Sequence, residues 1–256
     1  MRLPAAVALA AAWPGLASAG AWPQDRGETQ IILKAEGMRA SEGFDVDGVR
    51  RTLLAERRDE IFSIFVERGL TDRLTLQLRS EYQRGQDAFV DYEGMGPTEI
   101  GLRFQVIRAG RTSISIYGGY AQAGEARNAG YAIPGVGDHD AEVRLLAGHS
   151  GHYAWLGGRE SFAEVQLARR IRDGLPDEDR LDVTTGMHLS SDWMLLNQVY
   201  SGRTTEGPPV HWINTESSIV RRMGDWSLQA GWRQAMAGRG EVPAQGGFIL
   251  AVWRRF

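Results

Sequence analysis

From residue 20 onward the apolar positions recur at every second residue, not every third or fourth. Leu74-Thr75-Leu76-Gln77-Leu78-Arg79, Ile100-Gly101-Leu102-Arg103-Phe104-Gln105-Val106 and Ile114-Ser115-Ile116 alternate strictly, while Ala141–Leu145 and Trp226–Ala230 do so more weakly. Successive strand residues point to opposite faces, so each stretch carries one apolar and one polar face. No segment sustains an amphipathic helical pattern. The reading is an all-β chain of about twelve strands, near 28–38, 59–69, 73–83, 97–108, 112–122, 140–148, 160–171, 180–190, 193–203, 212–222, 226–236 and 246–256.

The connections between these strands are of two kinds. Gly69-Leu70-Thr71-Asp72-Arg73, Ala109-Gly110-Arg111, Ser190-Ser191-Asp192 and Met223-Gly224-Asp225 are tight, and their residues supply positive φ or side-chain-to-backbone turns. Longer polar connections fall near 39–58, 84–96, 123–139, 172–179, 204–211 and 237–245. The two kinds alternate, which gathers short turns at one end of the sheet and long loops at the other. Residues 149–158 strain this count, because a short connection is due there and the segment is long and rich in Gly and His. An even number of roughly 10-residue strands with this asymmetry is the pattern of an outer-membrane barrel. Lipid offers no hydrogen-bond partners, so a membrane sheet must close on itself.

A secreted sandwich or lipocalin would also alternate. Three features favour the membrane. The chain ends in a strand whose alternate residues Phe248, Leu250, Val252 and Phe256 share a face, interrupted by Arg254. That ending resembles the C-terminal strand read by barrel-assembly machinery, with Phe256 as the assembly signal. Aromatic residues collect at strand ends, Trp193, Trp226 and Trp253 near the short turns and Tyr82, Tyr120, Tyr200 and Trp212 near the loops, as membrane interfaces favour. The opposite faces carry mid-strand charges that a dry sandwich core could not accept unpaired. The expected fold is therefore a closed antiparallel transmembrane β-barrel.

Composition narrows the reading further. The 256 residues contain no Cys, which excludes disulfides, thiolate metal sites, Cys nucleophiles and a lipid-anchored cysteine. A formal net charge of −3 gives no footprint for nucleic acid. Residues 1–19 combine Arg2, the apolar run Ala5–Ala12, Pro14-Gly15 and the small tripeptide Ala17-Ser18-Ala19. This is the layout of a secretory leader cleaved between Ala19 and Gly20, leaving a single barrel domain over 20–256 exported to the outer membrane.

With the apolar register assigned to lipid, the other register lines a lumen: Lys34, Glu36, Glu67, Arg79, Glu81, Arg103, Glu142, Arg144, Glu164, Arg170, Asp182, Glu216 and Arg233. Gln105, Gln166, Asn214 and Gln229 share that face, and Tyr117, Gln198 and Tyr200 are further candidates to fill it. Interleaved acids and bases suit either a narrow water-filled conduit or a salt-bridged, plugged interior. Catalysis is not expected. The histidines are His139, His149, His152, His188 and His211; His149-Ser150 and His188-Leu189-Ser190 fall at the short-turn end, away from outer-leaflet lipid. No cofactor or metal is expected, since Asp138, His139 and Asp140 amount to an acidic loop tip. Arg50, Arg51, Arg57 and Arg58 form a basic cluster in the first long loop, which reads first as a plain solubilising loop and second as a contact for lipopolysaccharide phosphates.

The run Glu67-Arg68-Gly69-Leu70-Thr71-Asp72-Arg73-Leu74-Thr75-Leu76, with Pro97–Val106 and the closing Val252–Phe256, resembles the outer-membrane channels of the phenol meta-pathway degradation type. The resemblance implies a barrel that passes small or hydrophobic molecules. The partners expected from the residues are outer-membrane lipid, lipopolysaccharide and, through the C-terminal strand, the assembly machinery. A non-conducting structural or surface-interaction barrel is the alternative, and a lipid-modifying hydrolase is the remote one.

Overall fold

The structure, a computed structural model, describes residues 20–256. The leader expected over 1–19, and with it Ala19 of the cleavage pair, lies outside the described residues.

Twelve long strands form one antiparallel ring. They are β1 (Thr29–Phe44), β2 (Arg50–Gly69), β3 (Leu74–Gln86), β5 (Thr98–Ala109), β6 (Thr112–Gln122), β7 (His139–Tyr153), β8 (Arg159–Arg172), β9 (Glu178–His188), β10 (Trp193–Thr204), β11 (His211–Met223), β12 (Trp226–Arg239) and β14 (Gly246–Arg255). Two short strands, β4 (Asp91–Met95) and β13 (Val242–Pro243), extend β3 and β1 at the long-loop end. Each long strand pairs with its neighbours in chain order, and β14 pairs with β1 from Gln30↔Arg255 to Arg39↔Gly246, which closes the barrel. Closure leaves no sheet edge for lipid to meet.

Two connections differ from the expected ones. The first hairpin does not open into a loop over 39–58. β1 and β2 stay paired out to Phe44↔Arg50 and turn over Asp45–Val49, where the Asp45 carboxylate accepts N–H bonds from Asp47 and Val49 at 2.9 Å each. The four arginines therefore stand on a strand and separate by face. Arg57 is buried against Asp59 at 2.7 Å, whereas Arg58 is exposed beside Glu56. At 149–158 most of the segment is strand: β7 runs on to Tyr153, one 3-10 turn covers Ala154–Leu156, and Gly157 and Gly158 reverse the chain at φ 69° and 70°.

The outward register is apolar and open to the surroundings. Leu33, Phe62, Ile100, Leu102, Phe104, Ile116, Leu145, Leu167, Phe248 and Leu250 are all exposed on it, a continuous apolar surface that only hydrocarbon would cover. Trp193 and Trp226 ring the short-turn end, and Tyr82 and Tyr120 the loop end. Arg254, the break in the last strand's apolar face, sits at the short-turn rim with its guanidinium 4.5 Å from the Trp226 ring centre and 4.6 Å from that of Phe256. A rim cation stacked on aromatics keeps its charge at the headgroup level.

The inward register is not uniformly polar. At its short-turn half, Phe162, Met194, Leu196, Val220, Ala251 and Trp253 form a buried apolar cluster with Trp22 and Ile32 packed on it. Trp253 thus belongs to the interior, donating its indole N–H to Gln229, and not to the interfacial girdle. Trp212 likewise turns inward, with its ring over Gly202 and 5.8 Å from that of Tyr131.

Candidate functional site

The lumen is built from three layers of charge between two caps. In the layer nearest the short turns, Arg103 is fully buried and pairs with Glu67 at 2.7 Å; Gln77 and Gln24 donate to the same carboxylate at 2.7 and 2.8 Å. Midway, Lys34 and Arg233 lie between Glu36 and Glu216, with Arg233 2.7 and 2.8 Å from the two acids. Across the barrel Arg144 pairs with Glu142, and Arg170 reaches Glu99 and Glu142 at 2.7 Å each. Arg79 pairs with Glu81 at 2.5 Å. Toward the loops Arg172 joins Asp140 at 3.0 Å and Glu178 at 2.5 Å. Strand alternation alone sets these side chains inward, and antiparallel register brings acid and base opposite one another, as in Glu142↔Arg170.

Glu164 lies inward on β8, and Asp182 is half-buried opposite Gln166 on β9. Tyr117 is buried with its hydroxyl on Glu99 at 2.6 Å, and Tyr200 lies under the Arg233 guanidinium.

Both ends are covered, by segments that alternation does not describe. At the short-turn end, Gly20–Gln24 enter the barrel. Ala21 is wholly buried: its carbonyl accepts Ser113 and Ser115 at 2.6 and 2.7 Å, and its N–H donates to Glu164 at 2.5 Å. Arg103 donates to the Trp22 carbonyl at 2.8 Å, and the Gln24 N–H donates to Thr75. Two glycines make room for this segment. A Cβ on Gly148 would stand 2.4 Å from the Trp22 ring, and one on Gly69 would stand 2.0 Å from the Asp25 carbonyl oxygen.

At the other end the connection 123–138 folds inward over the mouth. Ala126, Arg127 and Asn128 are buried. The Asn128 carbonyl accepts Arg172 at 2.9 Å, the Gly130 carbonyl accepts Arg57 at 3.0 Å, and Tyr131 donates to Glu178 at 2.6 Å. Arg127 also holds Asp87 of the β3–β4 turn. Partial burial pushes the Asp87 carboxyl up, but the Phe89 and Val90 N–H groups and Arg127 outweigh it and hold it below the usual carboxylate range. Burial, with Glu178 beside it, pushes the Tyr131 phenol up.

Between the caps lie two cavities. The inner one, of about 320 Å³, runs from Gly20 and Trp253 to Arg79 and Glu99; the outer one, of about 230 Å³, runs from Arg79 and Glu99 to Arg127 and Asn128. At about 30 Å³ per water the inner one holds on the order of ten molecules. Arg79 stands between them with 55% of its side chain accessible, although the wall surrounds it.

His149 and Ser150 do not form a nucleophile–base pair. His149 and Ser150 point to opposite faces of β7, and the His149 ring nitrogen meets Thr112 at 2.9 Å. His139 stacks on Tyr120 and lies 3.8 Å from both Asp138 and Asp173, an exposed group of three. Asp140 is not part of it, having turned inward to Arg170 and Arg172.

No family model matches the sequence, and no curated protein does. Solved structures do match in fold. An outer-membrane channel from Pseudomonas putida F1 superposes with a TM-score of 0.71 at 13% identity, over 94% of this chain and all of that one. The KdgM porin gives 0.55 at 9% identity, over 89% of this chain and 99% of that one. The NanC porin gives 0.53 at 7% identity, over 86% and 98%. At these identities the likeness is one of fold, and the fold is that of outer-membrane β-barrels.

Proposed function

We propose that the protein is a narrow, capped outer-membrane channel for small molecules. The observation that carries this reading is the pair of cavities stacked along the barrel axis, with Arg79 projecting into the space between them. A barrel stabilised only by its filling would leave no open space at the level of its densest ion pairing. The inner cap also supports it. Gly20–Gln24 hydrogen-bond to side chains of the wall, and a sheet-like bridge appears further out, at Arg26↔Gly69, so the cap can leave without unzipping a strand. Acids and bases alternate around the cavities, which gives no strong preference for anions or cations.

Apolar solutes are the second class the site accommodates. The inner cavity has a wall of Ile32, Phe65, Leu146, Phe162 and Leu196 facing the charged residues, so a molecule with one apolar face finds matching surfaces.

A non-conducting barrel is the competing reading, favoured by the ion pairs that bridge the lumen at Arg170 and Arg233. We further propose that the exposed Phe256 ring and its strand are what the assembly machinery reads, and that Arg51, 69% exposed on the first hairpin, meets lipopolysaccharide phosphate.

The test is single-channel conductance of the refolded mature protein in planar bilayers. The channel reading expects small steady currents that grow in Arg79→Ala and change ion selectivity in Glu142→Ala. Silence from wild type and both variants, each shown to be folded by its heat-modifiable gel mobility, would establish the structural barrel instead.

A further inference from the structure

Nine carboxylates among the described residues are less than a tenth exposed: Glu36, Asp59, Glu67, Glu81, Asp140, Glu142, Glu164, Glu178 and Glu216. Eight of them form an ion pair with Lys or Arg. Glu164 does not, among the described residues, although it is 1% exposed. Its partners are neutral: the Ala21 N–H at 2.5 Å and the Gln166 side-chain amide. A buried carboxylate without a counter-charge is costly even after relaxation.

The missing charge has an evident source. Gly20 sits against this carboxylate: a substituent at its Cα would lie 3.3 Å from Glu164 Oε1 and 3.0 Å from the Gln166 amide nitrogen. Its backbone nitrogen is one bond from that Cα. While the chain continues into the leader this nitrogen is a neutral amide. Hydrolysis of the Ala19–Gly20 bond by a leader peptidase adds one water, leaving a carboxylate on Ala19 and a protonated amine on Gly20.

We propose that Glu164, Gln166 and Leu146 form a receptor for the new amino terminus, and that leader removal supplies the ninth ion pair. The α-ammonium of Gly20 docks on Glu164 and locks the Gly20–Gln24 cap in the inner mouth. The cap is accordingly a property of the processed protein, held more weakly in the unprocessed chain. The site uses the cap described above but not conduction itself, so it can be tested without a current.

The experiment compares three refolded proteins: the chain beginning at Gly20, the same chain with Glu164→Gln, and a chain with Ser-Ala added before Gly20. Each is treated at neutral pH with a water-soluble acylating reagent, and labelling of the α-amine is followed by mass spectrometry against the urea-unfolded chain. The expected result is protection of about tenfold or more for the Gly20 form, as for groups reached only by local opening, and its loss in both altered chains. Glu164→Gln is close to isosteric and keeps a hydrogen-bond acceptor for Ala21, so gel mobility will report a folded barrel. Equal labelling of the folded and unfolded Gly20 chain would overturn the proposal. So would protection that survives Glu164→Gln, or a native outer-membrane protein whose amino terminus is not Gly20.

Discussion

Arg103 carries more of the structure than any surface charge. It is fully buried, pairs with Glu67 and holds the Trp22 carbonyl, so it ties β5, β2 and the inner cap together. Arg103→Ala leaves Glu67 buried with only amide donors, and breaking a buried pair in this way costs about 3–5 kcal/mol. Urea unfolding from lipid vesicles should show a loss of that size, whereas Arg58→Ala, at an exposed pair, should change stability by less than about 1 kcal/mol. On the lipid face it is the gain of a charge, not its loss, that costs stability. Leu250 is 59% exposed in the middle of β14, and Leu250→Arg should destabilise the barrel by about 2–4 kcal/mol in the same assay. The faces of Arg103, Glu142 and Leu250 were all legible from alternation. That Trp253 faces inward follows from the same rule, since it keeps the register of Ile249 and Ala251; its aromatic character pointed to the interface and concealed this.

Among the elements, the strands were readable and the caps were not. A period of two identifies a strand because it states which residues meet lipid, and each long strand covers most of the segment the pattern set. Strand length past the membrane has no such signature, so the extension of β1 and β2 to Phe44 and Arg50 read as loop. The outer cap, residues 123–138, reads as a polar Gly-rich connection because its order comes from contacts with distant residues, Arg57, Asp87, Arg172 and Glu178. Its hold on the mouth should depend on acidity. The Asp87 carboxyl is depressed in the folded protein, so its contribution is fully present above the ordinary carboxylate pKa of about 3.9 and is lost as pH falls through the lower folded value. Hydrogen-exchange protection of Ala126 and Ala132, measured against the unfolded chain at the same pH, should therefore fall below about pH 4, and Asp87→Asn should show the lower protection at neutral pH. Unchanged exchange in that variant would remove Asp87 from the cap.

For the whole molecule, the channel reading puts the two caps in series along one path. Current through resistances in series is limited by the larger, so opening one cap alone should do little. Gly148→Leu drives a side chain into the position of the Trp22 ring, and shortening 123–138 to a tight turn removes the outer cap. Conductance of the doubly altered protein should exceed the sum of the two single gains; additive gains would mean that the caps do not share a path. The inner cap has another consequence, for the order of assembly. Its partners lie on β2, β3, β5, β6 and β8, and the Ala21–Glu164 bond spans 143 residues. None of these exists as a seat until the sheet has curled around it. Gly20–Gln24 precede every strand in the chain and yet settle after them, so the barrel is finished from within.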